Sequence, residues 1–238
     1  MNESELSKRL STVAKFIKKG SFFADIGSDH AYLPCYVCLK DDTANAIAGE
    51  LNQGPFQSAQ RQVRQTGLEK RIEVRKGDGL SVLQPEEVDT VVIAGMGGSL
   101  IRTILEQGKD RLQGVKRIIA QPNIDEWVVR EWFLENKYCL TAEIIIKEGE
   151  PIYEVLVADF LEEPQPYDRD YIKKELMMGP FLLKEHSPVF IEKWERELRN
   201  KKRIMESMKK AKEPNQRKLE EFQKETEWIE EELNREDS

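Results

Sequence analysis

Cysteine and histidine are scarce in this chain, whose 238 residues include three of the first and two of the second. So few thiols cannot build a disulfide framework, and they suit a reducing compartment. Cys35 and Cys38 form a C-x-x-C, but no second pair follows, and His30 and His186 lie far apart in sequence. That excludes the usual zinc-ligand spacings, so no metal is expected and the two thiols read as buried members of a helix. Apolar runs approaching the ~18 residues of a membrane span are missing as well. The first residues, Met1-Asn2-Glu3-Ser4-Glu5, are acidic and lack a secretory apolar core. A cytoplasmic protein without membrane contact is expected. The net charge of -7 argues against indiscriminate polyanion binding but leaves local basic patches open.

What is present is an alternation of short apolar runs and amphipathic stretches. Leu6, Leu10, Val13 and Phe16/Ile17 recur at helical spacing and predict a helix over residues 4–19, ended by Gly20. Strands are predicted at 22–26, 45–49, 72–75, 90–94 and 117–120, with helices near 31–40, 54–67, 98–108 and 125–136 between them. Such alternation specifies a parallel sheet covered on both faces. It then stops. Runs 139–147 and 152–160 are joined by Glu148-Gly149-Glu150-Pro151, which leaves no room for a crossover helix. They form a hairpin, so the last strand runs antiparallel. Five parallel strands plus a C-terminal β-hairpin is the sheet of a Rossmann-like class I methyltransferase.

Residues 161–167, with Pro164 and Pro166, read as a linker. Beyond them Ile191, Trp194, Leu198, Met205 and Met208 follow heptad-like steps, interrupted by Lys201. After a break at Glu213-Pro214-Asn215 the spacing resumes with Leu219, Phe222, Thr226, Ile229 and Leu233. This predicts an antiparallel coiled-coil hairpin. The expected domains are therefore 1–163, an α/β cofactor domain, and 164–238, a helical coiled-coil domain. Charge is segregated within the hairpin: residues 193–218 hold eleven bases against four acids, and the remainder holds nine acids against Lys224 and Arg235. Opposite helices attracting one another would explain this, and so would a basic helix facing a polyanion.

The chemistry sits where the predicted strands end, at the carboxyl edge that a doubly wound sheet offers to ligands. Asp25-Ile26-Gly27-Ser28-Asp29-His30 closes the first strand. An acid there followed by glycine is the first-loop arrangement of S-adenosylmethionine enzymes, with the carboxylate near the cofactor's ammonium group. The later glycines of a dinucleotide G-x-G-x-x-G are missing, which leaves less room for a pyrophosphate. Glu50 ends the second strand, where two carboxylate oxygens can accept both ribose hydroxyls, although a strand-end acid facing water would look the same. Gly77-Asp78-Gly79 follows the third strand, placing Asp78 to receive an adenine amino group and Gly79 to let the ring approach. Ala94-Gly95-Met96-Gly97 follows the fourth, where a target must reach the methyl donor. The order of these motifs implies a nucleoside-bearing cofactor.

Together with Gly49-Glu50-Leu51-Asn52-Gln53-Gly54-Pro55 and Gln121-Pro122-Asn123, these motifs resemble the bacterial tRNA (adenine-22,N1)-methyltransferase family, over essentially the whole chain. The resemblance implies S-adenosyl-L-methionine as donor, tRNA as acceptor and methylation of adenine N1. It implies Asp25, Gly27, Ser28, His30, Glu50, Leu51, Asp78, Gly79, Ala94, Gly95 and Met96 as cofactor-binding residues. The fourth loop lacks the Asn/Asp-Pro-Pro-Tyr typical of methylation at exocyclic amino groups. Adenine N1 already has an in-plane lone pair, so placement matters more than proton abstraction. The methylated ring is cationic, and Asp29 lies in the loop from which a carboxylate would stabilise it, unless it merely caps the following helix. His30 can serve the base, the cofactor or the fold, and Asn123 is a candidate hydrogen-bonding partner of the target adenine. Candidate RNA contacts are Lys201, Lys202 and Arg203 in the hairpin. A second basic cluster on the first helix, Lys8, Arg9, Lys15, Lys18 and Lys19, is expected near the active-site edge, with Arg9, Lys15 and Lys18 as its contacts. Methylation of another RNA base or a protein, or a non-catalytic RNA-binding scaffold, are the competing readings. A monomer is expected, although a coiled coil closes equally well within one chain or between two.

Overall fold

The computed structural model describes residues 5–161, 165–210 and 215–235. The predicted break at Glu213-Pro214 and the middle of the 161–167 stretch lie outside the described residues. The chain divides between Pro166 and Tyr167 into two compact units.

In the first unit α1 (Lys8–Ala14) precedes β1 (Phe22–Ile26), α2 (Tyr32–Lys40), β2 (Asn45–Glu50), α3 (Gln53–Gln65) and β3 (Ile72–Lys76). Then come β4 (Thr90–Met96), α4 (Gly98–Gln107), β5 (Arg117–Pro122), α5 (Glu126–Glu135), β6 (Tyr138–Lys147) and β7 (Ile152–Phe160). They form one seven-stranded sheet in the order β3-β2-β1-β4-β5-β7-β6. The first five strands pair in parallel, and β7 lies antiparallel between β5 and β6. This is the Rossmann-like methyltransferase sheet, with the hairpin where the missing crossover helix demanded it. Helices cover both faces, so the central strands are apolar: Phe23, Ala24, Val91, Val92, Ile93, Ile118 and Ile119 are fully buried.

The first helix is shorter than its periodicity suggests. The Ser7 hydroxyl accepts the Leu10 N–H and starts it. From Lys15 onward each N–H bonds three residues back: Lys15 to Thr12, Phe16 to Val13 and Ile17 to Ala14. This tighter turn leads to Gly20 at φ +74. The apolar spacing at Phe16 and Ile17 marks their inward direction, not a continuing α-helix. At its other end α1 is tied to the hairpin turn, where the Lys8 N–H donates to the Glu148 carboxylate and its ammonium to Lys147 O at 3.1 Å.

A buried guanidinium joins α5 to the hairpin. Arg130, Glu143 and Glu154 are all buried, on α5, β6 and β7 respectively. Arg130 Nε donates to Glu143 at 2.6 Å, and its Nη2 to the Glu154 carboxylate. Charges removed from water are tolerated only when paired this closely.

The second unit is helical: α6 (Ile172–Met178), α7 (Pro180–Glu185), α8 (Pro188–Lys209) and α9 (Gln216–Leu233). Gly179 at φ +89, followed by Pro180, splits α6 from α7. Of the predicted seam, Trp194 of α8 and Leu219, Thr226 and Ile229 of α9 are buried, whereas Ile191, Leu198, Met205, Met208, Phe222 and Leu233 are half-buried. Lys174 of α6 reaches Glu231 at 2.6 Å and Glu232 at 2.8 Å. No helix of the described residues is long and apolar enough to cross a membrane.

Replacing Arg130 by Ala strands two buried carboxylates and should cost about 3–5 kcal/mol in urea denaturation. A loss below ~1 kcal/mol would mean that water already solvates the cluster.

Candidate active site

Parallel strands deliver their C-terminal ends to one edge, and all five strand ends there carry predicted site residues. The loop after β1 is the most unusual. Asp29, His30 and Ala31 are consecutive non-glycine residues in the left-handed region, at φ 39, 70 and 55. Each such residue costs of order 1–3 kcal/mol, a strain that persists only where the surroundings enforce it. The enforcing bonds are present. The N–H groups of Gly27 and Ser28 both donate to Gly49 O, at 2.9 and 3.2 Å. The Ser28 hydroxyl donates to Asp25 Oδ2 at 2.6 Å, and the Asp29 N–H donates to Glu50 Oε1. Gly27 itself sits at φ +71, and a Cβ there would overlap the Met96 methyl group.

This loop turns the Asp29 side chain outward. It is 76% exposed and lies 3.5 Å from His30 Nε2, while the His30 ring stacks on Tyr32 with centroids 5.4 Å apart. α2 begins at Tyr32 behind Ala31, with no side-chain cap. Asp29 is therefore not spent as a helix cap.

Asp25 and Glu50 are buried carboxylates at neighbouring strand ends. Burial, opposed by the Ser28 hydroxyl and assisted by the Glu50 charge, pushes Asp25 up to about 7. Burial also lifts Glu50 above its ordinary value, and the Asp29 amide pulls it part of the way back. One Glu50 oxygen takes the Asp29 N–H, which leaves the other free to accept from hydroxyl groups. Beside it Leu51 is 55% exposed. Asp78 is exposed, and Gly79, at φ +50, faces Ile104 with room for little more than a hydrogen. The two open onto a cleft of about 310 Å³ that also holds Leu80 and Arg111.

The β4 and β5 ends are organised by Gln121, a fully buried side chain missed as a site residue. Its Oε1 accepts the Gly95 N–H at 3.0 Å and an Arg9 guanidinium N–H, while its Nε2 donates to Pro122 O at 2.8 Å and Asn123 Oδ1 at 3.2 Å. Gly95, at φ +80, is the bulge residue where the register slips between Ala94 and Met96. The Asn123 side chain donates back to Gly95 O at 2.8 Å, and its N–H donates to Met96 O at 2.7 Å. The available signal was an amide closing an otherwise apolar strand, since a buried amide must find partners.

Asp25, Gly27, Ser28, Asp29, His30, Glu50, Leu51, Ala94, Gly95, Met96 and Asn123 thus share one edge, and Asp78 and Gly79 extend it. The basic candidates do not gather there. Arg9 reaches the edge but is held by Gln121 and lies 5.6 Å from the Tyr153 ring centroid. α1 then runs away from it: Phe16 O accepts from Arg117 at the start of β5, and Lys18 acts on Asp159 near the end of β7. Lys15 and Lys18 are exposed, and Lys18 lies near the opposite edge, which corrects the expectation of a cluster beside the site. In the hairpin, Lys201 pairs with Glu225 and Lys202 with Glu230, each at 2.6 Å, whereas the Arg203 guanidinium donates to Asn200 at 3.0 Å and meets no acid among the described residues. Among the described residues no group of His, Cys, Asp and Glu side chains is arranged to hold a metal ion. Cys35 and Cys38 are buried thiols, and burial raises Cys38 to about 11.

The family model described as tRNA (adenine(22)-N(1))-methyltransferase matches residues 23–231. A tRNA (adenine(22)-N(1))-methyltransferase from Bacillus subtilis (strain 168) is 49% identical over 224 residues, 93% of this chain and 94% of its own length. The crystal structure of the B. subtilis M1A22 tRNA methyltransferase TrmK matches with a TM-score of 0.91 at 46% identity, covering 97% of this chain and 100% of that one. A Streptococcus pneumoniae protein, Sp1610, solved in complex with S-adenosyl-L-methionine, matches at 0.84 with 36% identity and covers 97% and 100%.

The loops after β4 and β5 also meet backbone to backbone. Gly98 N–H donates to Ile124 O at 2.9 Å, and a Cβ on Gly98 would overlap the Asp125 carbonyl. A Cβ on Gly97 would meet nothing nearer than Ile124 Cγ1 at 3.7 Å. Gly98→Ala should therefore cost ~1–3 kcal/mol in chemical denaturation, and Gly97→Ala much less. Equal effects would show that the loops separate freely.

Proposed function

The chain belongs to the tRNA (adenine(22)-N(1))-methyltransferase family, and on that footing we propose that the edge built around Asp29, Glu50 and Gln121 is its methyl-transfer site. The protein methylates N1 of adenine 22 in tRNA with S-adenosylmethionine as donor. The cofactor fits the residues present. Glu50 offers a buried carboxylate oxygen to the ribose hydroxyls, Asp78 receives the adenine amino group, and Leu51 and Gly79 border the ring. Asp25, Gly27, Ser28 and His30 take the amino-acid end, and Ala94, Gly95 and Met96 line the side from which the target approaches. When bound, the cofactor supplies an electrophilic methyl group on a sulfonium.

N1 of the target gives its lone pair to the methyl carbon as the carbon–sulfur bond breaks and sulfur keeps that bond's electrons. N1 carries no proton, so no base is needed, and a positive charge develops on the ring. Asp29, exposed and held forward by the left-handed turn, is placed to stabilise that charge. Asn123 is fixed at its amide nitrogen by Gly95 and through one lone pair by Gln121. Its second lone pair remains for the adenine amino group.

We assign tRNA grip to the helical unit, as part of a division of labour between residues 1–163 and 164–238. The support is the density of bases on α8 and the exposure of Arg203, while Lys201 and Lys202 also bind α9. A monomer in the cytoplasm suits three buried thiols that form no disulfide and a helical hairpin that closes within one chain.

The observation that carries the site reading is the strained loop that presents Asp29. Asp29→Asn should lower turnover on tRNA by roughly 100-fold or more while changing S-adenosylmethionine affinity little. Near-normal turnover would remove Asp29 from the chemistry.

The Asp25 shift gives a second test. Folding raises its pKa from 3.8 to about 7, so across that window the folded protein holds a proton that the unfolded chain has released. Its contribution to stability is fully present below about pH 4 and is lost as pH rises to about 7. The ionised form is the one that pairs with an ammonium group. Cofactor affinity should therefore increase as pH rises through 7, and Asp25→Asn should flatten the increase. A flat wild-type profile in calorimetry would exclude Asp25 from ammonium binding.

A further inference from the structure

Beyond the residues already assigned, the same edge exposes three large apolar side chains. Leu100 is 52% exposed, Ile124 62% and Trp127 46%. They are not scattered. Ile124 follows Asn123 directly, and its side chain approaches Gly97. Leu100 and Trp127 lie in the first turns of α4 and α5, whose starts are joined by the Gly98–Ile124 hydrogen bond at 2.9 Å. Asp125, left-handed at φ 57, links Ile124 to α5.

Packing does not require these side chains. α5 already buries Val128, Val129, Trp132 and Phe133 on its inner face. The contrast within that helix is informative: Trp132 is fully buried, and its indole N–H donates to Glu106 at 2.8 Å. Trp127 has no hydrogen bond or ring contact among the described residues. A large exposed apolar surface continuous with a site calls for an occupant. Asp125 and Glu126 border it, so a phosphate would be repelled there and an uncharged planar ring would not.

We propose that Trp127, with Ile124 and Leu100 beside it, is a stacking surface for the nucleobase adjacent to the target adenine in the tRNA. This rests on the placement of the target at Asp29 and Asn123. An adenine inside a folded tRNA reaches a cofactor only after leaving its stack, and its neighbour then loses a stacking face. An indole in the first turn of α5, four residues beyond Asn123, replaces that face. Stacking is indifferent to base identity, so the surface contributes affinity and positioning, and sequence choice stays with Asn123 and the shape of the tRNA.

The test is a double-mutant cycle on the full-length enzyme. Trp127→Ala should raise KM for a tRNA transcript by roughly ten-fold, as expected for one lost base–aromatic stack, and leave S-adenosylmethionine affinity and thermal midpoint unchanged. Trp127→Phe should recover most of the loss. A transcript abasic at one neighbour of the target should weaken binding to the wild type but cost the Trp127→Ala enzyme nothing further. Additive effects at both neighbouring positions, or an unchanged KM, overturn the proposal. Asp29→Asn assayed alongside separates the two readings. If it is inactive while coupling is absent, only the stacking surface fails. If it is active while coupling persists, the stacking surface stands and the target placement fails.

Discussion

A buried side-chain amide cannot be left with idle donors and acceptors, and Gln121 meets that requirement by joining four parts of the molecule. Its oxygen accepts from the β4 bulge and from Arg9 of α1, and its nitrogen donates to the end of β5 and to Asn123. An unsatisfied amide in that position would cost ~1–3 kcal/mol, so the four parts are held in one arrangement or the penalty is incurred. The bulge at Gly95, the aim of Asn123 and the seat of α1 are therefore not independent features. They are satisfied together by one residue that touches no reacting atom.

The opposite side of the edge uses charge where this side uses an amide. Asp25 and Glu50 are buried acids whose raised pKa values reflect incomplete compensation within the protein. Their hydrogen bonds from Ser28 and the Asp29 amide hold the left-handed turn in place. The two acids are thus structural acceptors for a strained loop and, in the proposed site, the partners of an ammonium group and of hydroxyls. A site assembled this way gains from its ligand twice, once in new contacts and once in relieved desolvation.

Most of the sheet was legible because strand length, apolarity and the absence of a crossover before residue 152 are local properties of the chain. The strand ends at Asp25, Glu50, Asp78 and Ala94 were legible for the same reason, since parallel strands bring their termini to one edge whatever fills the loops. What could not be read was anything settled through space. No residue type announces that Asp29, His30 and Ala31 all turn left-handed, because none is glycine. The bonds that enforce the turn come from residues 49 and 50. Periodicity gave α1 too many turns because Phe16 and Ile17 point inward from a tighter coil. Attraction between the basic and acidic helices was one of two readings of the charge segregation, but the partners Glu225 and Glu230 were hidden, since spacing reports which face a residue occupies and not which acid it meets.

The placement of β7 between β5 and β6 has a consequence for how the chain is made. A growing polypeptide that has emerged as far as Lys147 possesses β6 but lacks the strand that β6 must pair with, and the outer edge of β5 stays open. Arg130 at that moment has Glu143 but not Glu154. Synthesis from the N-terminus therefore cannot complete the sheet strand by strand. The hairpin has to enter as a unit, after Phe160 has left the ribosome, and until then the nascent protein carries an unpaired apolar edge, with Arg130 paired to Glu143 alone. Vectorial folding of this domain is gated by its final strand.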